Sequence, residues 1–235
     1  MKHLAIILTL VGLALPGTLG AAAKINQLTA QEKQSGWRLL FNGSDLTGWR
    51  PYSANGKIGD GWAVRNGLLI KQADTSGGDI MTVDTFEDFE FSWEWNLAKD
   101  GNNGVKYFII EERGKTIGHE YQLLDDAGHP DGRKGKDRQL AGFYDVLPPA
   151  DDKPFKGTGK WNSSRLVVKG DHVEHWLNGT KVLEYECGSE AVLAAVQDSK
   201  FKKVEGFGQK VRGHILLTDH KDECRFRNLK LRELK

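Results

Sequence analysis

The run Gly118-His119-Glu120-Tyr121-Gln122-Leu123-Leu124-Asp125 places a carboxylate and a carboxamide two residues apart. In an extended chain, successive side chains point to opposite faces. Glu120 and Gln122 then share one face, and His119, Tyr121 and Leu123 the other. Such a polar pair is either a solvated face or the floor of a site. Two other runs have the same habit. In Phe89 to Asn96, the aromatics Phe89, Phe91, Trp93 and Trp95 alternate with Glu90, Ser92, Glu94 and Asn96. In Gly104 to Phe108, Lys106 takes the polar side opposite Val105 and Tyr107. If these strands are neighbours, one surface collects Glu94, Lys106, Glu120 and Gln122. A lysine held between carboxylates is an acid/base cluster. The same pattern also describes an exposed face laced with cross-strand ion pairs, and the residues alone leave both readings open.

The histidines add one candidate. His220 follows Asp219 just beyond the apolar run Gly213–Thr218, in a loop where a general base or a metal ligand can sit. With a carboxylate it makes a mixed N/O donor set, so a divalent metal held by His220 and Glu120 is an expectation. His172, Glu174 and His175 have ligand-like spacing, but on a strand His175 points away from the other two. His119 faces opposite Glu120 and reads as structural. No His-Glu-x-x-His, Gly-x-Ser-x-Gly or phosphate-cradling glycine motif is present.

The elements that would position these residues are mostly short strands. The chain has 28 glycines and five Asn-Gly pairs, at 42, 55, 66, 103 and 178. Asn-Gly tolerates positive φ at both residues and marks tight turns between apolar runs. Candidate strands fall at 62–69, 80–83, 89–96, 104–110, 118–124, 140–147, 164–169, 173–177, 181–185, 213–218 and 224–234. One short amphipathic helix is expected at 190–199. The aromatic row from Phe89 to Trp95 fits the core between two sheets. No 20–50-residue period repeats. The expected fold is all-β: a two-sheet antiparallel jelly-roll sandwich in a single domain over residues 37–235, preceded by a lead-in at 24–36.

Charge is balanced, with 33 Lys+Arg against 32 Asp+Glu. That leaves no electrostatic excess to drive phosphate-backbone binding, so nucleic acid is not an expected partner. Residues 1–23 combine Lys2, an apolar run from Leu4 to Leu15, the break Pro16-Gly17 and the small residues Ala21-Ala22-Ala23. This is the pattern of a secretory signal, too short to span a bilayer. The expected location is therefore periplasmic or extracellular, with no transmembrane segment. Cys187 and Cys224 are the two cysteines, and an exported chain allows them to be paired or free.

Taken in order, the motifs resemble a known family. Phe41-Asn42-Gly43-Ser44-Asp45-Leu46-Thr47-Gly48-Trp49 is similar to the opening signature of the 3-keto-disaccharide hydrolase domain family. Gly61-Trp62, Asn66-Gly67-Leu68-Leu69, Asp88-Phe89-Glu90, and Gly101 to Phe108 follow in the family's order. Glu120 to Asp125, Trp161-Asn162, Trp176 to Gly179, Gly213-His214-Ile215, Asp219-His220 and Phe226 to Leu229 complete it. Asn103 and Thr218 depart from the family pattern. The resemblance implies a concanavalin A-like sandwich with a carbohydrate site on its concave sheet, acting on small glycosides oxidised at C3. A C3 ketone acidifies the C2 proton, so a base can remove it and the C1 substituent leaves by β-elimination. Water addition then gives net hydrolysis. In that chemistry Glu120 or His220 is expected as base. Lys106 or a divalent cation polarises the ketone, and Glu94 assists as acid or ligand. Gln122 orients a sugar hydroxyl, Asp125 contacts substrate, and Tyr144 and Trp161 line the cleft. Two other functions fit the same sandwich: non-catalytic carbohydrate binding, and ordinary glycoside hydrolysis with Glu94 and Glu120 as the carboxylate pair.

Overall fold

The computed structural model describes residues 24–53 and 56–235, so the expected export signal at 1–23 lies outside the described residues. In chain order the elements are α1 (Ala30–Gln34), β1 (Arg38–Leu39), β2 (Trp49–Pro51), β3 (Trp62–Arg65), β4 (Leu68–Lys71), β5 (Ile80–Thr82), β6 (Phe89–Leu97), β7 (Asn102–Ile109), β8 (His119–Leu124), β9 (Asn162–Lys169), β10 (His172–Leu177), β11 (Thr180–Glu186), α2 (Glu190–Asp198), β12 (His214–Leu217) and β13 (Cys224–Glu233). Every strand pairing is antiparallel. One sheet runs β11-β10-β9-β6-β13-β4-β3, with β1 added alongside β13; the other runs β2-β5-β12-β7-β8.

The aromatic row of β6 sits between the sheets as expected: Phe89, Phe91, Trp93 and Trp95 are at most 1% exposed. Each buried ring contributes roughly 1.5–3 kcal/mol by leaving water. Trp93 meets Tyr121 of the opposite sheet edge-on at 5.1 Å. The Asn-Gly signal holds where both residues take positive φ, at Asn66-Gly67 between β3 and β4 and at Asn178-Gly179 between β10 and β11. What reads as one strand at 62–69 is therefore the start of a hairpin. Asn103-Gly104 is not a turn but lies inside β7. The expected strand at 140–147 is irregular backbone, bent by positive φ at Ala141 and Asp145 and touching the sheet only through isolated bridges at Phe143.

The lead-in is part of the fold. Thr29 and Glu32 form a capping box on α1. Asn26 exchanges backbone-to-side-chain hydrogen bonds with Asn228 in both directions, at 2.6 and 2.8 Å. Cys187 and Cys224 are both free and buried. Burial pushes the Cys187 thiol up to about 12 and raises that of Cys224 well above its ordinary value, so neither is a poised nucleophile. Among the described residues, no helix is long and apolar enough to cross a membrane.

Candidate active site

The topology divides the expected polar cluster. Lys106 and Glu120 are direct cross-strand partners on β7 and β8, and Gly104 is opposite Gln122. Glu94 lies on β6, in the other sheet. Its neighbours across that sheet are Arg227, whose Nε donates to Oε2 at 2.7 Å, and Asn228, whose Nδ2 donates to Oε1 at 2.9 Å. The Arg227 guanidinium lies 4.0 Å over the Trp161 ring. Alternation turns both core faces inward, so Glu94 and Trp161 look out from the opposite side of the sandwich and cannot join Glu120. Alternation grouped Glu94 with Glu120 because it gives the face of a strand but not its sheet; Trp161, expected in the cleft from the family resemblance, lies with Arg227 instead.

Across the five-stranded sheet, the outward residues line up as Arg50, Met81, Leu216, Lys106 and Glu120. Met81, Ile109 and Leu216 form a small apolar cluster packed by Tyr52. Beyond it opens a cleft of about 690 Å³, with Lys106 and Glu120 on its floor. One wall is the loop after β7, at Lys115–Gly118, and the other follows α2 at Lys200, Phe201 and Val204. Glu120 is the sole carboxylate lining the cleft among the described residues. It is 6% exposed, and its carboxylate has no hydrogen-bond partner among the described residues. The side chain is largely enclosed, but its carboxylate opens to the cleft, where a ligand or solvent completes its hydrogen bonds. It leans over the bare backbone of Gly104, where a Cβ would lie 2.0 Å from Oε1. Lys106 does not pair with it; the ammonium donates to the Thr116 carbonyl at 3.1 Å.

On either side of Gly104 stand Gln122 and Thr218. The Thr218 amide donates to the Gly104 carbonyl at 3.1 Å. Gln122 donates from Nε2 to Asn102 at 3.1 Å, while its Oε1 and the Thr218 hydroxyl are buried without partners. Gln122 and Thr218, the latter one of the departures from the family pattern, are thus enclosed beside Gly104 and do not line the cleft themselves.

Lys200 is the member that sequence reasoning missed. Its ammonium rests 4.1 Å over the Tyr144 ring and 4.9 Å over Phe201. Its backbone N–H donates to Asp145 at 2.8 Å. Asp145 is ion-paired with Arg138, which also reaches Asp131 at 3.1 Å. Tyr144 donates to Asp131 at 2.6 Å. Burial raises the Asp131 carboxyl, but the bonds from Tyr144, Lys134 and Arg138 outweigh it and hold the group at about 2. Desolvation lowers the Lys200 ammonium from its ordinary value, with Arg138 and Lys106 adding to the effect and Glu120 and Asp145 opposing it. Tyr144 is thus the ring that supports Lys200 rather than a lone cleft-lining aromatic. The only sequence signal for Lys200 was its place just past the predicted helix.

The inward neighbours of Glu120 hold β8 in place. Ser164 donates to the Tyr121 hydroxyl at 2.9 Å, and Tyr121 donates to the Trp176 carbonyl at 3.0 Å. His119 joins a chain through Tyr185 (2.9 Å), Tyr107 (2.6 Å) and His175 (2.8 Å) to the Ala141 carbonyl (2.9 Å). The carbonyl can only accept, so His175 Nδ1 carries its proton and Nε2 accepts from Tyr107. Tyr185 then donates to Tyr107, and His119 Nδ1 donates to Tyr185. Burial lowers the His175 pKa to about 4 and that of His119 well below the ordinary value, so both rings stay neutral.

The remaining expected residues stand elsewhere. Asp125 accepts from the Asp100 and Gly128 amides at 2.9 and 3.2 Å and closes the loops past β8. Asp219 forms a buried ion pair with Lys71 at 3.0 Å and accepts from the Gly77 and Gly78 amides. His220 beside it is exposed, and its ring makes no hydrogen bond among the described residues. Among those residues, the three ligand-type side chains that converge are His172, Glu174 and Glu184, away from Glu120. Lys181 already places its own ammonium between those two glutamates. His175, as expected, points the other way and is buried.

Comparison with known proteins agrees with this architecture. The family described as 3-keto-alpha-glucoside-1,2-lyase-like domain matches residues 36–232. A Bacteroides thetaiotaomicron protein named 3-keto-disaccharide hydrolase is 30% identical over 246 aligned positions, covering 91% of this chain and 83% of its own. The crystal structure of a predicted glycosyl hydrolase from Parabacteroides distasonis superposes with a TM-score of 0.81 at 32% identity, over 90% of this chain and all (100%) of that one. A second from the same organism gives 0.67 at 24% identity, over 84% and 99%, a likeness of fold. The chain belongs to the family of 3-keto-alpha-glucoside-1,2-lyase-like domains.

Proposed function

We propose that the protein cleaves 3-keto-glycosides, with Glu120 as the base that removes the C2 proton. The observation that carries this is the unpartnered Glu120 carboxylate, which opens from a largely enclosed side chain as the lone acid among the described residues of a cleft that also presents Lys106 and Lys200. As Glu120 takes the proton, negative charge moves to the C3 oxygen, where an ammonium stabilises the enolate. The enolate then expels the C1 oxygen, leaving a C1–C2 double bond conjugated to the ketone. Lys200, with its lowered ammonium pKa, protonates the departing oxygen. Addition of water across that double bond, OH to C1 and H to C2, completes hydrolysis.

A single carboxylate suits this route. An ordinary retaining glycosidase needs two carboxylates about 5 Å apart, and Glu94 is on the opposite sheet. The family assignment and the relative named for 3-keto-disaccharide hydrolysis support the same substrate class. The reading includes export, with residues 1–23 as the signal. No step is routed through a metal. Chelation followed by divalent-ion add-back separates a lysine-assisted enolate from an ion held by His220 and Glu120.

The test is turnover of a defined 3-keto-glucoside beside its unoxidised parent. Only the oxidised compound should be cleaved, and Glu120→Gln should abolish cleavage while His220→Gln retains it. Cleavage of the parent glycoside, or binding of both without turnover, would replace this reading.

A further inference from the structure

The cleft above Glu120 does not end at its own walls. A second hollow of about 580 Å³ shares Lys115, Ile117 and Val204 with it, so the two form one groove of two lobes. If the oxidised ring sits over Glu120, a C1 substituent directed past Lys115 enters the second lobe.

That lobe carries three cations, Arg113, Lys115 and Lys203, against two carboxylates, Glu112 and Glu205. Arg113 is half-buried, and its guanidinium donates only to the carbonyls of Phe108, Ile117 and Gly206 at 3.2–3.5 Å. Burial lowers its pKa, the sign of a desolvated cation lacking a counter-ion. Lys115 and Lys203 line the same space, and neither they nor Arg113 form an ion pair among the described residues. The two acids of the lobe, Glu112 and Glu205, pair with none of them; they are exposed, as are Lys115 and Lys203, so Arg113 is the one partly buried charge of the lobe. In a chain of formal net charge +1, this concentration of cations is local to the groove. The excess is one positive charge, and the half-buried, unpaired Arg113 is the cation least screened by solvent, so it attracts a ligand of the opposite sign most strongly.

Resting on the proposed 3-keto-glycosidase reading, we infer that the second lobe selects leaving groups bearing an anionic substituent, such as a carboxylate, held by Arg113, Lys115 and Lys203. The catalytic lysines already face the enolate in the first lobe and leave these three cations to the leaving group.

Two substrates isolate the effect: 4-carboxyphenyl and 4-carbamoylphenyl 3-keto-glucosides, alike in shape and differing in charge. At low salt the carboxylate should be cleaved with a kcat/KM about tenfold higher, within the range of electrostatic steering. The ratio should approach one in 1 M salt, where the Debye length is about 3 Å. The double variant Lys115→Gln/Lys203→Gln should bring the ratio towards one already at low salt. Equal kcat/KM for both substrates, or a ratio that the double variant leaves unchanged, overturns the inference. If neither substrate is turned over, the catalytic reading fails by itself. Calorimetric binding of the two unoxidised glucosides then decides the inference: tighter binding of the carboxylate, weakened by the double variant, upholds it, and equal binding rejects it.

Discussion

The position of the Glu120 carboxylate depends on a missing side chain, and that can be tested directly. Gly104 has ordinary backbone dihedrals for a strand, since it is absent from the positive-φ residues. Alanine therefore fits the backbone, and by restricting the unfolded chain it should stabilise by roughly 0.4–1 kcal/mol. Its Cβ, however, would lie 2.0 Å from Glu120 Oε1, and ordinary contact begins at 3.4 Å. The obstacle is the Glu120 side chain from Cγ outward, with Cδ at 2.9 Å and Cγ at 3.1 Å, so the whole side chain swings aside and the carboxylate retreats by about 1.4 Å. An off-rotamer glutamate costs about 0.5–1.5 kcal/mol, which offsets the entropic gain. The melting temperature of Gly104→Ala should stay within about 4 °C of the parent. Activity should not survive so well. A displacement on the order of 1 Å at a reacting group costs about 100-fold, equal to about 2.7 kcal/mol in the barrier. Steady-state kcat/KM on a 3-keto-glucoside, with C2 proton exchange in deuterium oxide as a second readout, measures it. A variant that melts like the parent and keeps kcat/KM within about threefold would refute the placement of Glu120 as base.

Replacing Lys200 with Met should lower kcat more than KM is raised, because the ammonium acts on charge that develops during elimination; an unchanged kcat removes it from the chemistry. Asp219→Ala should destabilise the fold by about 3–5 kcal/mol in denaturant titration, since it strands the buried Lys71 ammonium. A loss below about 1 kcal/mol would mean that the Gln72 and Thr75 carbonyls already suffice for Lys71. Stability should also fall with acid. The His175 pKa is about 4 when folded, against an ordinary value of 6.5, so the unfolded chain binds its proton first. Its contribution is complete above about pH 6.5 and is lost as pH falls towards 4, about 3 kcal/mol in all. Chemical unfolding at pH 7 and pH 4.5 should show that slope, reduced in His175→Gln.

The one-dimensional pattern was enough for several features, each local in origin. Alternation over Phe89–Trp95 fixes a strand with an aromatic core face, because side-chain direction follows from backbone pleat alone. Asn-Gly at 66 and 178 gives turns because φ preference belongs to the residue. The same dipeptide at 103 lies inside β7, where cross-strand bonds to Leu123 and Gln122 and the Glu120 carboxylate above Gly104 override the turn preference. Glu120, Gln122 and Lys106 were placed on one face correctly, since register within a hairpin-like pair preserves the period of two. Glu94 was not, because which strands share a sheet is settled by long-range burial and by crossovers between sheets. His220 drew attention through Asp219, yet the aspartate is held by Lys71, 148 positions away in sequence. Lys200 and the two-lobed groove are entirely tertiary: a ring from the bent segment at Tyr144, a capped loop after α2 and the strand bearing Glu120 meet only once the sandwich closes. Sequence supplied the chemical groups and the face each would take. The closed sandwich determined which of them meet.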